Sequence, residues 1–196
     1  LAYADGEIYR HAAFVLTPLD IPGVTVRPIQ KINGKPAFAE VFFDEARVPV
    51  ENRLGDEGAG WNVAMATAGF ERGLMLRSPA RFQSTAARLV ALYRETESRG
   101  DPLSPGMRES VARCWMDAEA YTLNTYQTVS KLLGGGKIGA EASLNKIFWS
   151  ELDIEMHEAA LELLGPRAEL DPSSAAAGDV GDWLDGYIFA LSGPIY

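Results

Sequence analysis

Hydrophobic and polar positions change their period once along this chain. Up to about residue 50 they come in short runs rich in β-branched and aromatic residues, "AAFVLTPL", "GVTVRPI" and "AFAEVFF". The turn segments "DIPG" and "INGKP" separate them, so the pattern predicts strands and hairpin turns. In "AFAEVFFDEARVPV" acids alternate imperfectly with apolar residues, which predicts a sheet with one covered face. After "LGDEGAGW" the spacing becomes helical: Val63, Ala66, Phe70 and Leu74, then Leu89, Leu92 and Tyr93. Pro79 falls inside this stretch and is expected to kink it or split it in two. A further helix is predicted from about Ser104 to Leu133, carrying Val111, Trp115, Ala118, Leu123 and Tyr126. Another runs from about Ala140 to Leu164 and ends at Gly165-Pro166, and a short one covers "VGDWLDGYIFAL". "DPSSAAAGD" reads as a mobile loop.

The predicted class is α+β: residues 1–55 form a β segment, and residues 56–196 form an antiparallel four-helix bundle, because long helices joined by short turns pack that way. With 196 residues, 47% of them hydrophobic, the chain can bury a sizeable core. Its formal charge of -9 argues against a nucleic-acid or anionic-membrane surface. A single cysteine, Cys114, allows no internal disulfide and suits a reducing, cytoplasmic setting. No apolar run is long enough for a membrane span. The opening "LAYADGEIYRHAAF" is not a signal peptide and, lacking Met, reads as the start of a fragment.

Several motifs fail on inspection. "GGGKIG" matches G-x-G-x-x-G formally, but a long helix rather than a strand precedes it, and Lys137 is followed by Ile138, so it is also no P-loop. "HEAAL" from His157 lacks the second histidine of a zinc protease. The residue three before His157 is Ile154, which excludes a di-iron bundle site, so no metal site is expected. Glu151, Asp153, Glu155 and Glu158 read as a solvated helix face. Trp115, Phe148 and Trp149 read as core, and Cys114 as a small apolar core residue.

One stretch resists a bland reading. "AGFERGLMLRSPARF" places Glu71 and Arg72 inside an otherwise apolar helical segment, where a lone buried carboxylate is costly. Glu71 is either a general base or a partly exposed acid paired with Arg72 or Arg77. Neighbouring helix positions do not face each other, which makes the Arg72 pair geometrically poor.

Three features together resemble the acyl-CoA dehydrogenases. The first is "AFAEVFFDEARVPVENRLGDEGAGW", similar to the way that family leaves its middle β domain for its C-terminal bundle. The others are "AMATAGFERG" on the first long helix and "SGPIY" at the end. The resemblance implies FAD-dependent conversion of an acyl-CoA thioester to the trans-2-enoyl-CoA, with electron-transfer flavoprotein or a similar acceptor as partner. It also implies a homo- or hetero-oligomer formed through the bundle. Most members carry the catalytic Glu directly after the I-Y pair, beyond Tyr196. The isovaleryl and long-chain branches, and many bacterial members, instead carry it on the first bundle helix, where Glu71 stands beside the family's Arg at Arg72. Glu71 is therefore assigned as the base, with Arg72 and Tyr196 near the substrate and Arg99 and Gly165 near the cofactor.

The chain also departs from the family. Its usual R-K-T-F-G segment is "SRGDPLSPG", which keeps Arg99 but puts Asp101 and Pro102 in place of Thr-Phe. A glutamine and Gly-Gly later in the bundle become Glu162 and "GPR", leaving Gly165, and an Asp two residues before the base becomes Gly69. Such losses resemble the heteromeric branch, as in actinobacterial steroid side-chain dehydrogenases. The alternatives are a non-catalytic partner subunit, or an acyl-CoA oxidase or flavin monooxygenase of the same fold.

Overall fold

Proline and glycine decide where the helices of this chain begin and end. The computed structural model describes residues 2–3, 12–74, 78–137, 139, 141–170, 173–177 and 180–195, without the side chains at 2–3, 69–74, 141–143 and 181. These residues form strands β1 (Ala2–Tyr3), β2 (Ala12–Val15), β3 (Val24–Gln30), β4 (Pro36–Phe43) and β5 (Arg53–Leu54). Helices follow: α1 (Gly60–Leu74), α2 (Pro79–Ser98), α3 (Met107–Leu133), α4 (Glu141–Leu164) and α5 (Val180–Ala190). Pro79 does split the expected long helix: it opens α2, where its fixed φ suits a first turn and its missing N–H costs nothing. At the end of α3, Gly136 N–H bonds Lys131 C=O and Gly135 N–H bonds Leu132 C=O, with Gly135 at φ +80. This is a Schellman stop, so the "GGGKIG" glycines terminate a helix.

The chain divides into two compact units, residues 1–75 and 76–196. In the first, β2 lies between β1 and β5, antiparallel to both, with Ala2 opposite Ala13 and Phe14 opposite Leu54. β1 and β5 are two-residue strands that the alternation pattern did not predict. Asn52 ties the sheet edge by donating its side-chain N–H to Leu16 C=O at 2.9 Å. Helix α1 begins directly against β2: a Cβ at Gly60 would lie 2.6 Å from Ala12 C=O and 2.7 Å from Phe14 N. β3 and β4 form a separate antiparallel hairpin with an irregular register near Ile29/Gln30. The expected covered face is not found there, because Val26, Ile29, Phe38, Val41, Phe42 and Phe43 are all exposed. A two-stranded ribbon has no second layer of its own to bury them.

The second unit builds one core from α2, α3, α4 and α5. Side-chain pairs step in opposite directions along neighbouring helices. Tyr121 stacks on Phe148 and Asn124 bonds Asn145, which sets α3 antiparallel to α4. Gly186 meets His157, while Gly193, just past α5, meets Ser150, which sets α5 antiparallel to α4. Helix α4 touches α2, α3 and α5. Its buried positions, Trp149, Leu152, Asp153, Met156, Ala160 and Leu163, recur at helical spacing. Phe82 sits edge-on to Tyr121 at 5.0 Å and tilted against Trp149 at 6.4 Å.

Three expectations from the sequence need correcting. Asp153 is 1% exposed, so it is no solvated acid. Trp115 (49%) and Phe148 (38%) are exposed rather than core, because α3 and α4 carry apolar residues outside their inward stripe. Finally, the 173–177 turn is anchored: Ala177 is buried and accepts the N–H of Val180 at 2.8 Å.

Arg81 donates to Asp153 Oδ2 at 2.6 Å, with side-chain exposures of 33% and 2%. Removing Arg81 strands a carboxylate that has no route to water, whereas Asp153 can be removed and Arg81 can turn outward. Arg81→Met is therefore expected to lower stability by about 3 kcal/mol, and Asp153→Asn by clearly less, in urea denaturation of this chain. Equal losses would show that burial of the acid is not the controlling factor. Gly60→Ala should cost about 2–3 kcal/mol by overpacking against β2. Gly134→Ala, whose Cβ finds ordinary contacts at 3.5 Å, is the neutral comparison.

Candidate functional site

Helix α1 carries Glu71 and Arg72 as consecutive positions in its last turns. Successive positions of a helix lie about 100° apart, so the two residues occupy different faces of α1. Those side chains, with Arg77 and Tyr196, lie outside the described residues. α1 belongs to the first compact unit, while Arg99 and Gly165 belong to the second.

Arg99 closes α2 and its guanidinium is engaged. Nε donates to Asp101 Oδ2 at 2.8 Å and one terminal nitrogen to Glu95 Oε1 at 2.5 Å. The hydrogen bond to Asp101 is the first cause of its raised pKa, and both carboxylates hold it cationic. A cation already facing two carboxylates is a poor ligand for a pyrophosphate. Gly165 follows α4 at φ +52, a conformation that disfavours any side chain. Ser104, just past Arg99, hydrogen-bonds Glu162, one turn before Gly165. This brings both cofactor candidates to the same end of the helical unit.

The densest polar chemistry among the described residues is elsewhere, around Asp153. Its Oδ2 takes the Arg81 bond, while Oδ1 is buried without a hydrogen-bond partner. His157, one turn on, donates Nδ1–H to the backbone carbonyl of Asp153 at 2.6 Å. The ring meets Trp183 edge-on at 5.5 Å, and Trp183 in turn lies under the Arg88 guanidinium at 4.7 Å. Trp183 Nε1–H is also buried and unpaired. Arg81 completes the junction between the rings of Phe82 and Phe189, 5.5 Å from each. Sequence reasoning missed this cluster by judging Asp153 from its residue type. The available signal was its position, one turn before His157 and on the apolar stripe of Trp149 and Met156.

Cys114 is buried and its thiol is pushed up to about 11, chiefly by desolvation, which removes it as a nucleophile near neutral pH. No metal-binding cluster occurs among the described residues, and none of their helices is long and apolar enough to cross a membrane.

Burial is the main cause lowering the His157 pKa below its usual 6.5; Arg81 and Arg88 add to it, and the bond to Asp153 opposes it. The unfolded chain therefore takes up the proton more readily than the folded one. The contribution to stability is full above about pH 6.5 and is lost as pH falls towards the lowered folded value. The melting temperature should drop between pH 7.5 and 5.5 by more in the natural chain than in His157→Gln. An identical pH slope in the two would contradict this.

The profile described as acyl-CoA dehydrogenase, C-terminal domain, matches residues 58–177. Acyl-CoA dehydrogenase IpdE1 of Mycobacterium tuberculosis is 34% identical over 202 residues, covering 100% of this chain and 49% of that protein. The protein of the same name in Mycolicibacterium smegmatis is 32% identical, covering 95% of this chain and 45% of its own length. The chain thus spans about half the length of the curated relatives it matches. Among solved structures, the Tcur3481-Tcur3483 steroid ACAD shares the fold with a TM-score of 0.84 at 22% identity, over 98% of this chain and 50% of that one. The ChsE4-ChsE5 complex from Mycobacterium tuberculosis gives 0.80 at 26% identity, over the same shares. The profile match and the identities together place the chain in the acyl-CoA dehydrogenase family, with that family's C-terminal domain over residues 58–177.

Proposed function

We propose that the protein containing this chain is an FAD-dependent acyl-CoA dehydrogenase in which Glu71 removes the α-proton of a CoA thioester. The observation that carries the reading is that Glu71 and Arg72 are consecutive residues of helix α1, in the "FERG" context that resembles the family's helix-borne base. A carboxylate suits this step when a dry slot raises its proton affinity towards that of the acidified α-carbon. Bound FAD would supply the acceptor for the hydride that leaves the β-carbon. Arg72 anchors the helix beside the acyl-CoA channel, and Tyr196 lines the slot.

The four helices α2–α5 are read as most of the family's C-terminal bundle. The domain boundary is proposed near residue 55; the family match begins at residue 58, whereas the compact units divide after residue 75. Oligomerisation through the helices is supported by exposed apolar side chains on α3 and α4, among them Leu123, Tyr126, Leu133 and Leu144. Such a surface is typical of a buried interface. Asp101 and Glu95 pair with the Arg99 guanidinium and would compete with the cofactor contact expected of it. That observation favours a second reading within the same family: a heteromer in which this subunit contributes less to the flavin than its partner. The names of the steroid ACAD and of the ChsE4-ChsE5 complex accord with this, and with a bulky CoA thioester as substrate. Electron-transfer flavoprotein is the expected acceptor, and the cytoplasm the expected setting.

The test is Glu71→Gln in the full-length protein, assayed anaerobically with octanoyl-CoA, isovaleryl-CoA and a steroid side-chain CoA thioester. Flavin content should stay normal while substrate-dependent bleaching falls by about 10³-fold. Bleaching at the natural rate would remove Glu71 from the reaction.

A further inference from the structure

We propose that His157 is a positioning residue: through its contact with Gly186 it sets the register of α5 and thereby places the Gly193–Ile195 turn that precedes Tyr196. The inference rests on the reading above that Tyr196 lines the substrate slot.

The observation begins with a glycine in an unfavourable place. Gly186 lies in the middle of α5, where glycine weakens a helix relative to almost any other residue. Its reason is spatial. A Cβ at this position would stand 2.3 Å from His157 Nε2 and 2.5 Å from the adjoining ring carbon. The ring has little freedom to retreat. Its Nδ1–H is held by the Asp153 carbonyl, its edge abuts Trp183, and its residue is 7% exposed. Asp153 is itself fixed from α2 by Arg81. The bond at Nδ1 fixes the ring's rotation, so Nε2 and the adjoining ring carbon are the atoms nearest Gly186.

Further contacts fix the same register along the helix. Arg88 covers Trp183 and pairs with Asp182 at 3.8 Å. The Tyr187 hydroxyl donates to Glu158 at 3.2 Å, and Phe189 meets the Arg81 guanidinium. Past the end of α5, Gly193 fits against Ser150 and Trp149, where its Cβ would lie 3.0 and 3.2 Å away. Only a tight turn separates this point from Ile195, whose N–H bonds Ser192 C=O at 3.0 Å. Any slide of α5 past His157 is therefore carried directly into the Gly193–Ile195 turn. Among these contacts the His157–Gly186 approach has the least slack, since the 3.8 Å Arg88–Asp182 pair and the cation–ring contacts leave room for shifts that a ring against backbone does not.

The experiment uses the full-length flavoprotein and whichever of octanoyl-CoA, isovaleryl-CoA and a steroid side-chain CoA thioester bleaches the natural protein fastest. Gly186→Ala should raise KM about 10-fold with bleaching at saturation reduced less than 3-fold and flavin content unchanged. Adding His157→Ala makes room for the new methyl and should return KM to within about 3-fold of the natural value. His157→Asn, which trims the ring without adding volume, should also raise KM, and it serves if Gly186→Ala does not fold. A fall in melting temperature with KM unchanged in both single variants would overturn the proposal and leave a purely structural contact. So would a double variant no better than Gly186→Ala. If Glu71→Gln abolishes bleaching while the His157 variants keep a natural KM, only the positioning role fails. If no thioester bleaches the natural protein, the dehydrogenase reading itself fails, and the positioning role with it.

Discussion

The helical unit is organised around a charge taken out of water. Asp153 lies at the centre of α4, itself in contact with three other helices, and its carboxylate is satisfied on one oxygen by Arg81 of α2. Replacing such a pair by apolar residues is often neutral or better for stability, so hydrophobic burial alone does not account for its presence. What the pair provides is direction. A bond of 2.6 Å between α2 and α4 tolerates little sliding, and the same guanidinium touches Phe189 of α5. Around it, Phe82, Tyr121, Trp149, Met156 and Trp183 fill the core without specifying register so narrowly.

Much of this arrangement was legible in the sequence, and the reasons differ from place to place. The helix limits were readable because Pro79, the Gly134–Gly136 run and Gly165 are chemically unsuited to helix interiors. The inward side of α3 was not readable at Trp115. A helix with apolar residues on two faces leaves the choice to its neighbours. Asp153 was misjudged for the converse reason: its side chain is charged, but its helical phase is that of the core. β1 and β5 escaped notice because two-residue strands are defined by a distant partner, Ala13 or Phe14, rather than by any pattern of their own. Gly186 carried a signal that was passed over, since an interior glycine flanked by helix-compatible residues calls for a spatial explanation.

The proposed chemistry and the helical core address different needs. In the proposed reaction Glu71 would supply a proton acceptor, whose value depends on exclusion of water. The Arg81–Asp153–His157 junction supplies no reacting atom, yet it fixes the helix that leads to the far end of the chain. Arg99 illustrates how a residue kept within a resemblance can gain partners of its own. The residue type is retained, and its guanidinium pairs at the surface with Asp101 and Glu95.

The β3–β4 hairpin has a consequence for handling this stretch of protein. Both its faces carry bare aromatic and aliphatic groups, with Phe38 and Phe43 each 61% exposed, and its two outer edges pair with no other strand among the described residues. Such a ribbon is a template for strand addition. Prepared by itself, the chain is thus prone to self-association starting at the hairpin, and a charge at Phe38 or a proline along an outer edge would improve its solubility without disturbing the helices.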